Sequence, residues 1–341
     1  MRKLPTYRFW VGFIAILFVG ITSCEKIEKP VKLPPKPAED IRVIQLHLGE
    51  NYESQVFMDI FDSMPIKSTV RCTDWDLSFE SKANGFRIAQ NGGSGVLISN
   101  TGKTKIERVN DPEYLKYRWD EASGGDSLAL INWCNNNMLS YDSVYVIDRG
   151  IQKQEPYRYY QFKILAVSPF GYLLEIGDIK GKNIKQIEVP KNPIKLNTYF
   201  SFGDGNPTIL DFEPAKKDWN ICFLRYRWIY YEFNPPLLYT VTGIFINNEN
   251  ISVAVDSTMQ FEKIAMKDIT QLDFHSKRDI IGYDWKNYDF INGRYKTRDY
   301  VNYILRTKEI QPKYFKLRFT DFYSPEGLKG SPKFELIAIH P

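Results

Sequence analysis

The residue whose type and setting most directly announce chemistry is Cys24. It follows Gly20-Ile21-Thr22-Ser23 at the end of the apolar run Phe9–Val19, and Arg2, Lys3 and Arg8 form a cationic head before that run. An apolar core of this length fits a secretory signal and is too short to span a bilayer, which takes ~20 apolar residues. The Cys24 thiol can take diacylglycerol, cleavage before Cys24 frees its amine for a further acyl chain, and two or more chains anchor stably where one does not. Residues 1–23 therefore read as a lipoprotein signal peptide and Cys24 as the lipidated residue.

Other reactive patterns are sparse. Cys72, Cys134 and Cys222 permit at most one disulfide among themselves, and no C-x-x-C pair or close His/Cys cluster offers a zinc site, so no metal ligands are assigned. His47, His275 and His340 are far apart, and neither G-x-S-x-G nor H-E-x-x-H occurs. The segment SNTGKT at 99–104 ends like a phosphate loop but carries Leu97 where the first glycine must stand. Phe202-Gly203-Asp204-Gly205 lacks the alternating oxygen ligands of a calcium loop and reads as a turn. Asp74 and Asp76 have the spacing of strand neighbours, which singles out no acid–base pair. No catalytic residue is assigned, and the chain reads as a non-enzyme.

The elements that must position these residues follow from composition and period. After Cys24 the stretch EKIEKPVKLPPKP at 25–37 holds four prolines and interleaved charges, an extended tether that at about 3.1 Å per residue reaches roughly 40 Å. Net charge is +4 with both signs mixed, so there is no footprint for nucleic acid. The 22 Tyr, 22 Phe and 7 Trp, set in short alternating runs, argue for sheets. A mainly β fold is expected, with helices over Met259–Leu272 and Asp126–Asn135. Trp75 and Phe79 are expected on one sheet face, with Asp76 and Ser78 pointing outward.

The sequence also echoes itself. Trp75-Asp76-Leu77-Ser78-Phe79 returns 144 residues later as Trp219-Asn220-Ile221-Cys222-Phe223. Val144–Ile147 followed by Tyr160–Ile164 has a partner in Val301–Leu305 followed by Tyr314–Phe319. Two related β-sheet modules explain this, with a proline-marked join near Glu188–Thr198. The expected division is a tether at 24–39, a first module at 40–190 and a second at 191–341.

The blocks Asp74–Phe79, Phe86-Arg87-Ile88 and the glycine turn Asn91–Gly95 resemble the opening of the HmuY-like haem-binding lipoproteins of Bacteroidota. Tyr145-Val146-Ile147, Trp219–Arg225, Tyr239–Gly243, Ile281–Lys286, Phe315–Tyr323 and Gly330–Glu335 resemble the longer, two-module members. That resemblance implies capture of haem or a similar flat ligand at the outer cell face. It also implies transfer to a partner in the outer membrane, a TonB-dependent receptor or another barrel. Haem iron takes imidazole or thioether ligands. No two-histidine or two-methionine pair can be placed by motif, and His275, Met138, Met259 and Met266 are the candidates. The alternative is a surface scaffold or binding module of an outer-membrane complex that lacks haem ligation. A carbohydrate-binding surface would instead use tryptophans such as Trp119, Trp228 and Trp285. Glu25 and Glu28 loosely resemble a cell-surface export signal. Asp-Ser-apolar steps at Ser63, Ser127 and Ser143, and the Asp-Ser-Thr step at Ser257, resemble O-glycosylation sites of the same bacteria, which require exposed positions.

Overall fold

The computed structural model describes residues 41–340; Cys24 and the tether lie outside them. The first three strands are β1 (Ile41–Gln45), β2 (Ser54–Met58) and β3 (Ile66–Arg71). The next nine are β4 (Leu77–Glu80), β5 (Ile88–Gln90), β6 (Leu97–Asn100), β7 (Tyr145–Asp148), β8 (Tyr159–Val167), β9 (Gly171–Asp178), β10 (Lys185–Pro190), β11 (Asn197–Ser201) and β12 (Thr208–Leu210). The last eight are β13 (Ile221–Tyr230), β14 (Leu237–Ile246), β15 (Ile251–Asp256), β16 (Lys286–Asp289), β17 (Arg294–Thr297), β18 (Asn302–Thr307), β19 (Tyr314–Tyr323) and β20 (Lys329–Ile339). Strand outweighs helix 43% to 5%, so the fold is mainly β.

All the strand pairs are antiparallel, and four sheets stack as two sandwiches. One sandwich faces the sheet β10-β9-β8-β7-β6 with the sheet β12-β11-β4-β5. Leu77 and Phe79 from one sheet and Phe162, Leu174 and Ile176 from the other share its core. The alternation in β9, where Tyr172, Leu174 and Ile176 are buried in turn, is the period-two signature of a strand with one face inward. The other sandwich faces β1-β20-β19-β18-β15 with β14-β13-β2-β3 around Phe223, Phe319, Phe334 and Trp285. Trp285 stacks on Phe319 at 4.1 Å between centroids, and each such ring contributes about 1.5–3 kcal/mol by leaving water.

The two sandwiches are copies of one module, with the chain cut at different places. In sheet order β6, β7, β8, β9 and β10 correspond to β15, β18, β19, β20 and β1, and β5, β4, β11 and β12 correspond to β14, β13, β2 and β3. The hydrogen bonds agree atom by atom. Asn91 Nδ2 donates to the carbonyls of Cys72 and Trp75 at 2.7 and 2.8 Å, and Asn247 Nδ2 donates to those of Lys216 and Trp219 at 2.7 and 3.1 Å. Phe202 N–H donates to Asp76 Oδ2 at 2.8 Å, and Ile60 N–H donates to Asn220 Oδ1 at 2.9 Å.

The module formed by β4–β12 is one unbroken segment. The other is β13–β20 completed by β1–β3 from the far end of the chain. Ile41 lies opposite Ile337 in the β1–β20 ladder as Lys185 lies opposite Ile176 in the β10–β9 ladder. Residues 179–184 join β9 to β10 directly, and the second module lacks that join. Strand pairing therefore does not follow a division at residue 190: β1–β3 pair with the C-terminal half, and β11 and β12 with the N-terminal half.

Three local expectations give way to tertiary contacts. No helix forms over 126–135, where the buried carboxylate of Asp120 takes the Ala129 amide at 2.7 Å and the backbone follows successive turns. Over 259–272 only a 3-10 turn, Phe261–Lys263, and the short helix α1 (Met266–Ile269) form. The Lys316 ammonium there takes the carbonyls of Phe261 and Ile264, at 2.7 and 3.1 Å, in competition with helical bonding. Trp75 leaves the face that Phe79 occupies, because it precedes β4 and donates Nε1 to Gln55 Oε1 at 3.0 Å. Asp76 and Ser78 are buried, not solvated.

Candidate functional site

Where the sheets holding β4 and β13 turn their outer faces toward each other, a chamber of about 330 Å³ lies between the modules. Strand alternation supplies its walls. In β13 the residues Cys222, Leu224 and Tyr226 face it while Ile221 and Phe223 face the sandwich core. The module symmetry sets two equivalent edge-to-face pairs around it, Trp75 on Tyr199 at 4.9 Å and Trp219 on Phe57 at 5.0 Å. Exposed Lys82, Arg87, Gly125 and Asn248 form its rim.

The polar groups are unevenly satisfied. Glu213 is saturated: it accepts from Leu196 N–H at 2.7 Å, Asn197 N–H and Nδ2 both at 3.2 Å, and Tyr199 OH at 2.9 Å. Asp120 accepts from the amides of Gln90 and Ala129 and from Gln90 Nε2. Burial pushes both carboxyls above the usual range, opposed by those hydrogen bonds. By contrast Gln90 Oε1, Trp219 Nε1, Arg225 Nε and Tyr226 OH are buried atoms without a hydrogen-bond partner. They lie behind the chamber surface, out of reach of water, and unmade hydrogen bonds of this kind cost about 1–3 kcal/mol each.

Three guanidinium groups border the same space. Arg227 is buried, donates Nη1 to Val96 O at 2.9 Å, and is pushed down to about 10 by burial. Arg278 holds the carbonyls of Ala122 and Glu121 at 2.6 and 3.3 Å. The nearby ion pairs, Lys82–Glu249 at 2.9 Å, Lys216–Glu249 at 3.4 Å and Arg87–Asp126 at 3.3 Å, involve none of Arg225, Arg227 and Arg278. Cys72 and Cys222 are free buried thiols with pKa values raised by burial, the opposite of an activated nucleophile.

None of the four haem-ligand candidates lines the chamber. Met138 sits half-buried with φ +59° on the connection between β6 and β7. Met259, Met266 and His275 lie on the topologically equivalent connection of the other module, between β15 and β18. There Met259 and Met266 pack on one apolar cluster with Phe274, while His275 is exposed and bonded through Nε2 to Asp273 at 3.1 Å. Among the described residues no group of three or more His, Cys, Asp and Glu side chains is placed to hold a metal ion. Ser63, Ser127 and Ser257 are exposed and Ser143 is half-buried. The carbohydrate reading loses Trp285, which is 1% exposed in the second core, and Trp119 and Trp228 are half-buried.

The chamber's polar residues escape a reading of the sequence because they come from separate segments scattered between Gln90 and Arg278 and form no motif. The one available signal is the repeat itself, since Trp75 and Trp219 occupy equivalent places on its two walls. The sequence matches the family described as HmuY protein over residues 51–336. No curated protein matches the chain. A solved structure of a protein from Bacteroides fragilis NCTC 9343, provisionally assigned as a lipoprotein, is 15% identical and covers 42% of this chain and 83% of its own, with a TM-score of 0.21.

Proposed function

The chain belongs to the HmuY protein family, and from that premise we propose that it is a non-enzymatic lipoprotein that captures a small ligand between its two modules. It displays that ligand at the outer envelope for an outer-membrane receptor. The observation that carries this reading is the chamber itself, about 330 Å³ of space lined by the Trp75–Tyr199 and Trp219–Phe57 ring pairs and by Asp120, Glu213, Arg227 and Arg278. Pockets that orient small molecules pair apolar walls with a few placed polar groups in this way. Native mass spectrometry of the protein extracted gently from membranes tests it. A retained small molecule, absent from a Ser78→Trp variant that fills the chamber, is the expected result; wild-type protein that retains nothing sinks the reading.

Haem is the second reading, and it has its own observation. Met259, Met266 and Phe274 pack against one apolar cluster on the β15–β18 connection, and haem iron accepts thioether ligands. Haemin titrated into the protein is expected to give a saturable, red-shifted Soret band that Met259→Ala and Met266→Ala abolish. An unshifted spectrum removes this reading without touching the first.

A further inference from the structure

The two modules are finished differently at one end, and the difference leaves an apolar groove and an apolar hairpin tip on the same chain. The Tyr141 amide donates to Trp133 O at 3.1 Å and the Arg298 amide to Trp285 O at 2.8 Å. The short turn Cys134–Ser140 therefore stands where the second module carries the hairpin β16–β17. That hairpin covers the end of β19: Tyr295 donates its amide to Tyr323 OH at 2.8 Å and packs on Phe322 at 5.1 Å. The bulge after Phe319 in β19 matches the one after Ile164 in β8, which makes Phe322 and Tyr323 the counterparts of Val167 and Ser168. In the first module the short turn lends no residue to this place, and a groove of about 540 Å³ opens there. Val167, Phe170, Leu173, Pro190 and Ile209 line it, with Glu188 on its wall.

We propose that the β16–β17 tip of one copy docks in the first-module groove of a second copy, so that the protein associates head to tail. Phe290 and Ile291 form that tip, 88% and 95% exposed. The turn itself needs neither apolar side chain. Asp289 Oδ1 closes it by accepting the amides of Ile291 and Asn292 at 3.0 and 3.2 Å, and Gly293 supplies φ +63°. Adjacent apolar groups held in water mark an interaction site, and Phe170, 84% exposed at the groove, is the matching surface. The charges are complementary as well. Glu188 and Arg294, at the base of the tip, are both exposed, and the ion pairs formed nearby, Lys195–Asp211 and Lys296–Asp289, use neither. A docked hairpin gives the first module the cover that the second receives from its own chain. Because tip and groove are different patches, the contact propagates from copy to copy and does not close on itself as a two-fold pair.

Disulfide trapping in membranes that carry the full chain tests this. Two differently tagged copies, one with Ile291→Cys and the other with Ile209→Cys, are oxidised with copper phenanthroline; the native Cys72, Cys134 and Cys222 are buried. A crosslink between the two tags is expected. Phe290→Asp in the tip copy or Phe170→Asp in the groove copy should each lower its yield at least about tenfold, with the circular-dichroism spectrum unchanged because both positions are exposed. Glu188→Arg in the groove copy should lower it about threefold to tenfold, and Arg294→Glu in the tip copy should then restore it. Phe170→Cys, at a more exposed position than Ile209, is a second reporter for the groove. Crosslinks only between two Ile291→Cys copies put tip against tip, and no crosslink in any pairing leaves the tip to a lipid surface. Either result overturns the proposal, as does a tip-to-groove crosslink that Phe290→Asp and Phe170→Asp leave undiminished. None of these outcomes bears on the chamber, which the mass-spectrometric test judges.

Discussion

The pair Asp76–Arg149 lies at the heart of the contiguous module and invites a direct test. Arg149 donates Nε to Asp76 Oδ2 at 3.0 Å, with the two side chains 0% and 2% exposed. Its Nη1 also holds the carbonyls of Tyr157 and Gly203 at 2.9 and 2.7 Å. Replacing Arg149 by Met strands a carboxylate in the interior, a loss of about 3–5 kcal/mol. At about 2–4 °C per kcal/mol for a domain of this size, the melting midpoint should fall by roughly 6–20 °C. The repeat supplies the rescue. At the equivalent position Asn220 accepts the Ile60 amide without any charge, so Asn at 76 can still accept the Phe202 amide. The double variant Asp76→Asn/Arg149→Met is therefore expected to recover most of the loss, because it removes both charges together. Differential scanning calorimetry of the four proteins closes the cycle. A single-variant loss below about 1 kcal/mol, or a double variant no better than Arg149→Met, would refute the argument that uncompensated charge sets the cost.

Four further outcomes are expected. Burial pushes the Lys286 ammonium down to about 7, although Trp285 at 4.3 Å and the Thr242 carbonyl at 2.7 Å favour the charge. Between pH 7 and the ordinary lysine value the unfolded chain binds more protons at this group, so its contribution to stability should rise with pH, by up to about 1.4 kcal/mol per unit. Thermal melts from pH 7 to 9.5 should show a steeper rise for wild type than for Lys286→Met. A Cβ added at Gly93 would stand 2.2 Å from the Arg225 carbonyl oxygen, so Gly93→Ala should cost about 1–3 kcal/mol in urea denaturation by prising β13 from the Gly92–Ser94 turn. A chain that begins at residue 73 and carries 41–72 after residue 340 through a short turn should fold to the wild-type circular-dichroism spectrum, whereas deleting 41–72 outright should yield insoluble protein. Cys24→Ser should abolish incorporation of labelled palmitate and release the protein from the membrane fraction.

Much of the fold is legible in the sequence because strand period and aromatic content are local properties. Phe162 and Phe334 each sit between two polar neighbours, and each lands in a core. The echo of Trp75–Phe79 in Trp219–Phe223 likewise marks a true equivalence, since both stretches are held by the same asparagine contacts. Where local pattern and long-range bonding compete, the long-range partner wins. The Lys316 ammonium limits the helix expected over 259–272, and the Asp120 carboxylate suppresses the one over 126–135.

By itself, the sequence determined a signal-like start with Cys24, a mainly β fold, an internal repeat and the family to which the chain belongs. Tertiary structure alone decided which strands complete which module, because β1 and β20 stand some 290 residues apart yet share one ladder. It also decided the chamber. Gln90, Trp219, Arg225 and Tyr226 converge only because two outer sheet faces meet, and hydrogen bonds between distant segments leave no period in the chain that encodes them.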